Sequence, residues 1–214
     1  EVTIDRLKAN AIDAATSRIM GDIFAGFRDD PELRVAILTA TGEKFFCPGW
    51  DLKAAAAGEA PDVDYGVGGF GGLQELPGLN KPVICAVNGL AFGGGFEIMI
   101  SCDLIIAAEH ATFALPEINS GTVADAASIK LPRRIPYAVA MDLLFTGRRI
   151  EQDDRAQQAS HLETGVETFA QDIADPAGEV GVVGQWAVGQ HATGRRDGPH
   201  PHRRAGEPGD AHQG

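Results

Sequence analysis

The chain has 214 residues, 44% of them apolar and 22% charged, which is enough for one folded domain with a substantial core. Its formal net charge is -12, because 30 acidic residues outnumber 18 basic ones. A surface this acidic argues against nucleic acid or an anionic membrane as the general partner. An anionic small molecule would therefore need a local basic site.

The cysteines and the longest apolar runs bear on the compartment. Cys47, Cys85 and Cys102 lie far apart, in no metal-ligand spacing, as is typical of a reduced intracellular protein. No run approaches the roughly 20 apolar residues of a membrane span, and no signal sequence opens the chain, so we expect a cytoplasmic protein. The chain starts at Glu1 without a methionine, which leaves open an N-terminus further upstream.

The first predicted element is a helix over residues 13–28. Asp13 is a suitable N-cap, and apolar residues recur at three- and four-residue spacing on what we take to be one core-facing side. These residues are Ile19, Met20, Ile23, Phe24 and Phe27.

Short apolar runs that alternate with helical segments then predict an α/β fold as far as about Ile150. The runs at residues 35–38, 83–87 and 103–108 are rich in β-branched residues, as expected for strands buried on both faces. Helical segments are predicted at residues 52–57 and 96–102.

Residues 151–214 have a different composition. They contain no lysine and no sustained apolar periodicity, and Gly, Pro, His and Arg dominate from residue 191 on. Such a segment buries too little apolar surface to offset the entropy of ordering it, so we expect an atypical, disordered tail. His200 and His202 are potential metal ligands, but companion ligands and fixed geometry are lacking, and no metal site is expected.

A glycine-rich turn at residues 88–97 follows a predicted buried strand and opens a helix. Gly93, Gly94 and Gly95 allow a ligand to approach the backbone, and the free N–H groups of a helix start favour an oxygen that gains negative charge. The turn is therefore a candidate oxyanion site. Taken alone, the same pattern also fits a turn that serves only tight packing.

Two carboxylates accompany this turn. Glu97 lies in the first turn of the predicted helix among apolar residues, where burial would raise its pKa toward a useful range. Glu117 follows a short apolar run that ends in Pro116. Two carboxylates beside one oxyanion site can divide the roles of acid and base, whereas either one alone is more typical of an exposed surface glutamate.

Five motifs follow one another in order at residues 6–11, 46–52, 81–97, 102–103 and 113–117. Through them the chain resembles the enoyl-CoA hydratase/isomerase (crotonase) family over roughly Ile4 to Ile150. Residues 49–53, 58–61 and 68–70 resemble its carnitinyl-CoA dehydratase group in particular. The resemblance implies a crotonase-like core of repeated ββα units over residues 1–150. It also implies hydration or dehydration of an enoyl-CoA such as crotonobetainyl-CoA.

The resemblance also implies roles for individual residues. The thioester oxygen would be held by backbone N–H groups at the positions of Pro48 and Gly94. Glu97 would orient and deprotonate water, and Glu117 would exchange the proton at the α carbon. The acyl-CoA would contact two further sets, the turn residues Gly49, Trp50, Asp51, Gly93 and Gly95, and the basic residues Arg6, Lys8 and Lys53. No metal or separate cofactor is implied, since coenzyme A is part of the substrate, and the family implies a homotrimer or hexamer.

The chain departs from the family pattern at three places. Pro48 has no N–H to donate, where the family has a small residue other than proline. Residues 121–128 replace a proline and paired glycines. After Ile150 the sequence no longer resembles the family helices, and a reading-frame change is our hypothesis for residues 151–214; resemblance in another frame of the encoding DNA would test it.

Two alternatives to a hydratase remain at this stage. One is an enoyl-CoA isomerase, although isomerases commonly keep only one of the two carboxylates. The other is a relative that binds acyl-CoA without turnover, as the proline at position 48 would favour.

Overall fold

The computed structural model describes residues 1–150 and 180–183, and two sheets lie within these residues. The strands are β1 (Val2–Ile4), β2 (Ala36–Ala40), β3 (Phe45–Cys47), β4 (Val83–Val87), β5 (Leu90–Phe92), β6 (Leu104–Ala108), β7 (Phe113–Ala114), β8 (Arg149–Ile150) and β9 (Val180–Val183). The helices are α1 (Ala14–Asp29), α2 (Leu52–Ala56), α3 (Gly94–Ser101), α4 (Glu117–Ser120), α5 (Asp125–Lys130) and α6 (Tyr137–Thr146), with 3-10 turns at Phe70–Gly72 and Leu131–Arg133.

A repeated unit of two strands and a helix builds both sheets. The pairs β2–β3, β4–β5 and β6–β7 each give their first strand to one sheet and their second to the other, and α2, α3 and α4 follow. The strand orders are β1-β2-β4-β6-β9 and β3-β5-β7-β8; neighbours are parallel except at β9 and β8. The predicted α/β fold of ββα units is thus confirmed. Apart from β9, the predicted tail lies outside the described residues.

Helix α1 matches its prediction, but the predicted buried face is too wide. The Oδ1 atom of Asp13 accepts a hydrogen bond from the Thr16 N–H at 2.8 Å and caps the helix as expected. Met20 and Phe24 are buried, whereas Ile19 is 60% and Ile23 45% exposed. Only a narrow stripe of α1 meets the core, so the flanking isoleucines were wrongly assigned to it.

The strands at residues 83–87 and 103–108 also match, but burial on both faces is wrong for β2. Leu38 in β2 is fully buried, while its neighbour Ile37 is 40% exposed. Leu104 at the start of β6 is 45% exposed. In the described part of the chain, one face of this sheet packs on the core and parts of the other remain open.

Close packing of α3 on β3 requires glycine at position 95. A Cβ atom at Gly95 would lie 2.0 Å from the carbonyl oxygen of Cys47, whereas one at Gly26 in α1 would meet nothing within 4 Å. We therefore expect Gly95→Ala to lower the free energy of unfolding by about 3 kcal/mol or more. Gly26→Ala should raise it by roughly 0.5–1 kcal/mol, since alanine restricts the unfolded chain. Urea denaturation measures both, and equal stabilities would contradict the packing.

Candidate active site

Two strand-to-helix turns meet at the predicted oxyanion site. Pro48 and Gly49 follow β3, and Gly93 and Gly94 follow β5, its neighbour in the sheet. Gly49 has φ +97°, and a Cβ there would lie 2.9 Å from the Gly94 nitrogen. Only glycine combines this left-handed backbone with so close a contact. The fold thus brings the two predicted turns together.

The backbone N–H groups of these turns differ in their availability. The Gly93 N–H donates to the carbonyl of Ala114 at 3.0 Å. Gly94 is the first residue of α3, and an N–H at this position has no partner within a helix. Pro48 has no N–H, and the N–H of Gly49 donates to the Cys47 thiol at 3.4 Å. The site therefore offers the Gly94 N–H to a ligand oxygen but lacks a donor at position 48.

Glu97 is the buried carboxylate of the site. It lies in the first turn of α3 and is only 7% exposed. Its Oε1 atom accepts a hydrogen bond from the Ala127 N–H of α5 at 2.9 Å. Burial, opposed by that hydrogen bond and reinforced by the charges of Glu117 and Asp125, raises the pKa of Glu97 from 4.5 to about 7. The group can therefore both release and accept a proton near neutral pH.

Glu117 approaches the same turn from α4. Its Oε1 atom lies 3.0 Å from the point where a Cβ of Gly93 would sit, and its buried Oε2 atom has no hydrogen-bond partner among the described residues. Burial raises the pKa of this carboxyl as well. The two predicted glutamates thus converge on the glycine turn, each less acidic than usual, and can share acid and base roles.

Residues 121–128, which depart from the family pattern, provide a hydrogen bond to Glu97. Ala127 is fully buried, and its N–H is the donor to that carboxylate. Asp125 at the start of α5 adds negative charge nearby. Sequence reasoning missed both contacts, because a backbone donor 30 residues away leaves no signal in residue type or spacing.

The three basic residues predicted for the CoA phosphates lie together. Arg6, Lys8 and Lys53 line one cleft of about 420 Å³, with Asp5 and Asp51 also in its wall. The Lys8 and Lys53 side chains are exposed. Two lysine ammonium groups can therefore reach an anion at this cleft.

Arg6 is held by the protein itself. Its guanidinium donates to the carbonyl of Ala11 at 2.7 Å and pairs with Asp13 at 2.7 Å and Asp51 at 3.6 Å. It ties the start of the chain to the caps of α1 and α2. Much of its charge is thus compensated before any ligand binds.

Trp50 and Asp51, two other predicted binding residues, form hydrogen bonds within the protein. The indole N–H of Trp50 donates to Glu59 at 2.7 Å, and Glu59 also accepts the N–H of Ala14. Asp51 caps α2 through the N–H of Lys53 at 2.9 Å. These contacts join the loop after β3 to the N-terminus of α1 and fix the turn that contains Gly49.

Phe70 belongs to the motif at residues 68–70 that indicated the carnitinyl-CoA dehydratase group, but no place at the site was predicted for it. Its Cε1 atom lies 2.5 Å from the position that a Cβ of Gly94 would take, so the ring covers the glycine with the available N–H. A second cleft, of about 110 Å³, is lined by Asp125 and Lys130 among others. Neither this cleft nor the cleft of Arg6, Lys8 and Lys53 is lined by Glu97 or Glu117.

The described residues contain neither a metal-binding cluster nor a membrane-spanning helix. Among residues 1–150 and 180–183, no group of three or more His, Cys, Asp or Glu side chains is placed to hold a metal ion. Within the same residues, no helix has the length and apolar character to cross a bilayer. His200 and His202 lie outside the described residues.

Sequence comparison places this chain in a known family. The family model "Enoyl-CoA hydratase/isomerase" matches residues 1–160, beyond the predicted boundary at Ile150. A carnitinyl-CoA dehydratase of Proteus mirabilis is 53% identical over 186 residues, which cover 83% of this chain and 71% of that protein. A carnitinyl-CoA dehydratase of Salmonella arizonae is 61% identical over 155 residues, which cover 72% of this chain and 59% of that protein.

Solved structures agree with this assignment. A carnitinyl-CoA hydratase from Mycobacterium avium superposes with a TM-score of 0.66 at 39% identity, and an enoyl-CoA hydratase from Mycobacterium tuberculosis with 0.64 at 43%. Each match covers 72% of this chain and spans 60% of the length of the solved protein. The chain belongs to the enoyl-CoA hydratase/isomerase family of enzymes.

Proposed function

We propose that the chain is a hydro-lyase that adds water to, or removes it from, an enoyl-CoA thioester of the crotonobetainyl-CoA/carnitinyl-CoA type. The observation that carries this proposal is the convergence of Glu97 and Glu117 on the turn with the Gly94 N–H. The names of the relatives, carnitinyl-CoA dehydratases from two genera, support the acyl group.

Each group has a role in this reaction. The Gly94 N–H binds the thioester oxygen, on which negative charge develops in the enolate. Glu97 as carboxylate orients water and takes its proton while the water oxygen bonds to the β carbon. Glu117 as carboxylic acid gives a proton to the α carbon, and dehydration reverses both transfers. The raised pKa values of both groups suit this exchange near neutral pH.

The cleft of Arg6, Lys8 and Lys53 is the proposed site for the CoA phosphates. Its lysines supply the local positive charge that a chain with a net charge of -12 otherwise lacks. Coenzyme A enters as part of the substrate, and thioester-stabilised enolate chemistry needs neither a metal nor a redox cofactor. Exposed apolar side chains such as Ile118 on α4 and Tyr137 on α6 fit a homotrimer or hexamer.

A second candidate function is acyl-CoA binding without turnover. Pro48 favours it, because one of the two expected donors to the thioester oxygen is missing. An isomerase is less well supported, since both carboxylates are retained at the site.

The test is the enoyl-thioester absorbance of crotonobetainyl-CoA or crotonyl-CoA mixed with folded protein. We expect the band to decay, and Glu117→Gln to slow the decay by about a hundredfold or more, because glutamine cannot exchange the α proton. Cooperative thermal unfolding of both proteins provides the control for folding. A stable band with a folded sample would reject the hydro-lyase and leave the binding function.

A further inference from the structure

A glycine-rich segment, residues 66–72, is wedged between α1 and α3. A Cβ at Gly71 would lie 2.3 Å from the Ile98 side chain of α3, and one at Gly72 would lie 2.3 Å from the backbone nitrogen of Gly21 in α1. The Gly71 N–H also donates to Ser17 Oγ at 3.1 Å. Backbone contacts on both sides therefore fix this segment, and with it the one large side chain near its centre, Phe70.

Phe70 lies directly against the glycine of the proposed oxyanion site. Its ring covers Gly94, with Cε1 and Cζ 2.5 and 2.8 Å from the position of a Cβ there, and the residue remains partly exposed. Tyr65 packs against Phe70 edge to face, with ring centroids 5.3 Å apart and planes at 81°. Two aromatic rings thus stand next to the place where an acyl chain begins.

The segment that carries these rings is rich in acidic residues. Residues 54–80 contain four acidic residues and no lysine, arginine or histidine. Burial, together with the charges of Glu59 and Asp62, raises the pKa of Tyr65, which places these carboxylates near its ring. Two basic side chains from outside residues 54–80 donate hydrogen bonds to backbone carbonyls of this segment. Arg18 donates to the carbonyl of Asp64, and Lys130 donates to that of Gln74.

We propose that Phe70, backed by Tyr65, is a specificity-determining residue that receives a quaternary ammonium group on the acyl chain. This inference rests on the proposed function, in which the substrate bears a trimethylammonium group only a few bonds from the thioester carbonyl. A cation of this kind is attracted by the faces of aromatic rings and by nearby carboxylates, and it needs no hydrogen-bond donor. A neutral chain of the same shape gains only the apolar contact.

The test measures binding of two saturated thioesters, which cannot be hydrated. They are 4-(trimethylammonio)butanoyl-CoA and its uncharged isostere 5,5-dimethylhexanoyl-CoA, titrated calorimetrically into the full chain. We expect the wild type to bind the cation more tightly. Phe70→Leu should reduce the preference by about two- to thirtyfold through weaker binding of the cation, because the aliphatic side chain keeps the apolar contact.

Three further variants complete the design. Phe70→Tyr keeps the ring and should keep the preference, while Phe145→Leu, at a side chain 71% exposed on α6, should leave it unchanged. Phe70→Met replaces Phe70→Leu if the latter does not fold. If Phe70→Leu or Phe70→Met prefers the cationic thioester as strongly as the wild type does, the inference is wrong, but the proposed function is not affected. Failure of the wild type to bind either thioester would contradict the acyl-CoA site itself, and the inference with it.

Discussion

Replacing Pro48 with alanine is expected to raise the rate of enoyl-thioester hydration by about a hundred- to a thousandfold. The turn after β3 contacts the start of α3 through Gly49 and Gly94, so residue 48 lies beside the glycine whose N–H is available. Alanine supplies the missing N–H without a larger side chain. Because the second donor acts mainly on charge that develops during the reaction, the gain should appear in kcat more than in KM.

The matched control for Pro48→Ala is Pro31→Ala, at an exposed turn after α1. Either change should lower the free energy of unfolding by about 0.4–1 kcal/mol, since proline restricts the unfolded chain. Only Pro48→Ala should increase turnover, as measured by decay of the enoyl-thioester absorbance. Unchanged turnover in a folded Pro48→Ala variant would show that the thioester oxygen does not bind at this turn.

The elements of the fold could largely be predicted because their signals are local. Residues 83–87 form a strand as predicted, and Asp13 caps α1 as predicted, since a buried apolar run and a capping side chain act on their immediate neighbours. The exposure of Ile19 and Ile37 could not be predicted in this way. It depends on which faces of α1 and β2 find a partner, and that is decided by distant parts of the chain.

The residues of the candidate site also differ in whether local sequence could predict them. Glu97 and Glu117 could be named from the motifs around them, and the fold brings both to one turn. The Ala127 N–H and the Phe70 ring could not, because each reaches the site by packing between segments that are far apart in sequence. A backbone donor carries no residue-type signal, and the motif at residues 68–70 indicates an enzyme group without showing that Phe70 lies against Gly94.

Glu97→Gln is expected to reduce hydration by about a hundred- to ten-thousandfold, because glutamine cannot take the proton of water. The amide oxygen can still accept the Ala127 N–H, so the fold should persist. Glu32→Gln, an exposed change in the turn after α1, should alter neither activity nor stability. Activity close to that of the wild type in Glu97→Gln would assign the base to another group.

The same substitution should stabilise the protein in a pH-dependent way. Glu97 has its pKa raised to about 7 in the folded chain against an ordinary value of 4.5, so the folded state holds a proton that the unfolded state releases. Wild-type stability should therefore fall as pH rises from about 4.5 to 7, by up to roughly 3 kcal/mol from this group, and level off above. Glutamine removes this dependence. The wild type and Glu97→Gln should thus have the same denaturation midpoint near pH 4, and Glu97→Gln should have the higher midpoint near pH 8. Equal midpoints at both pH values would mean that burial of this carboxylate does not destabilise the fold.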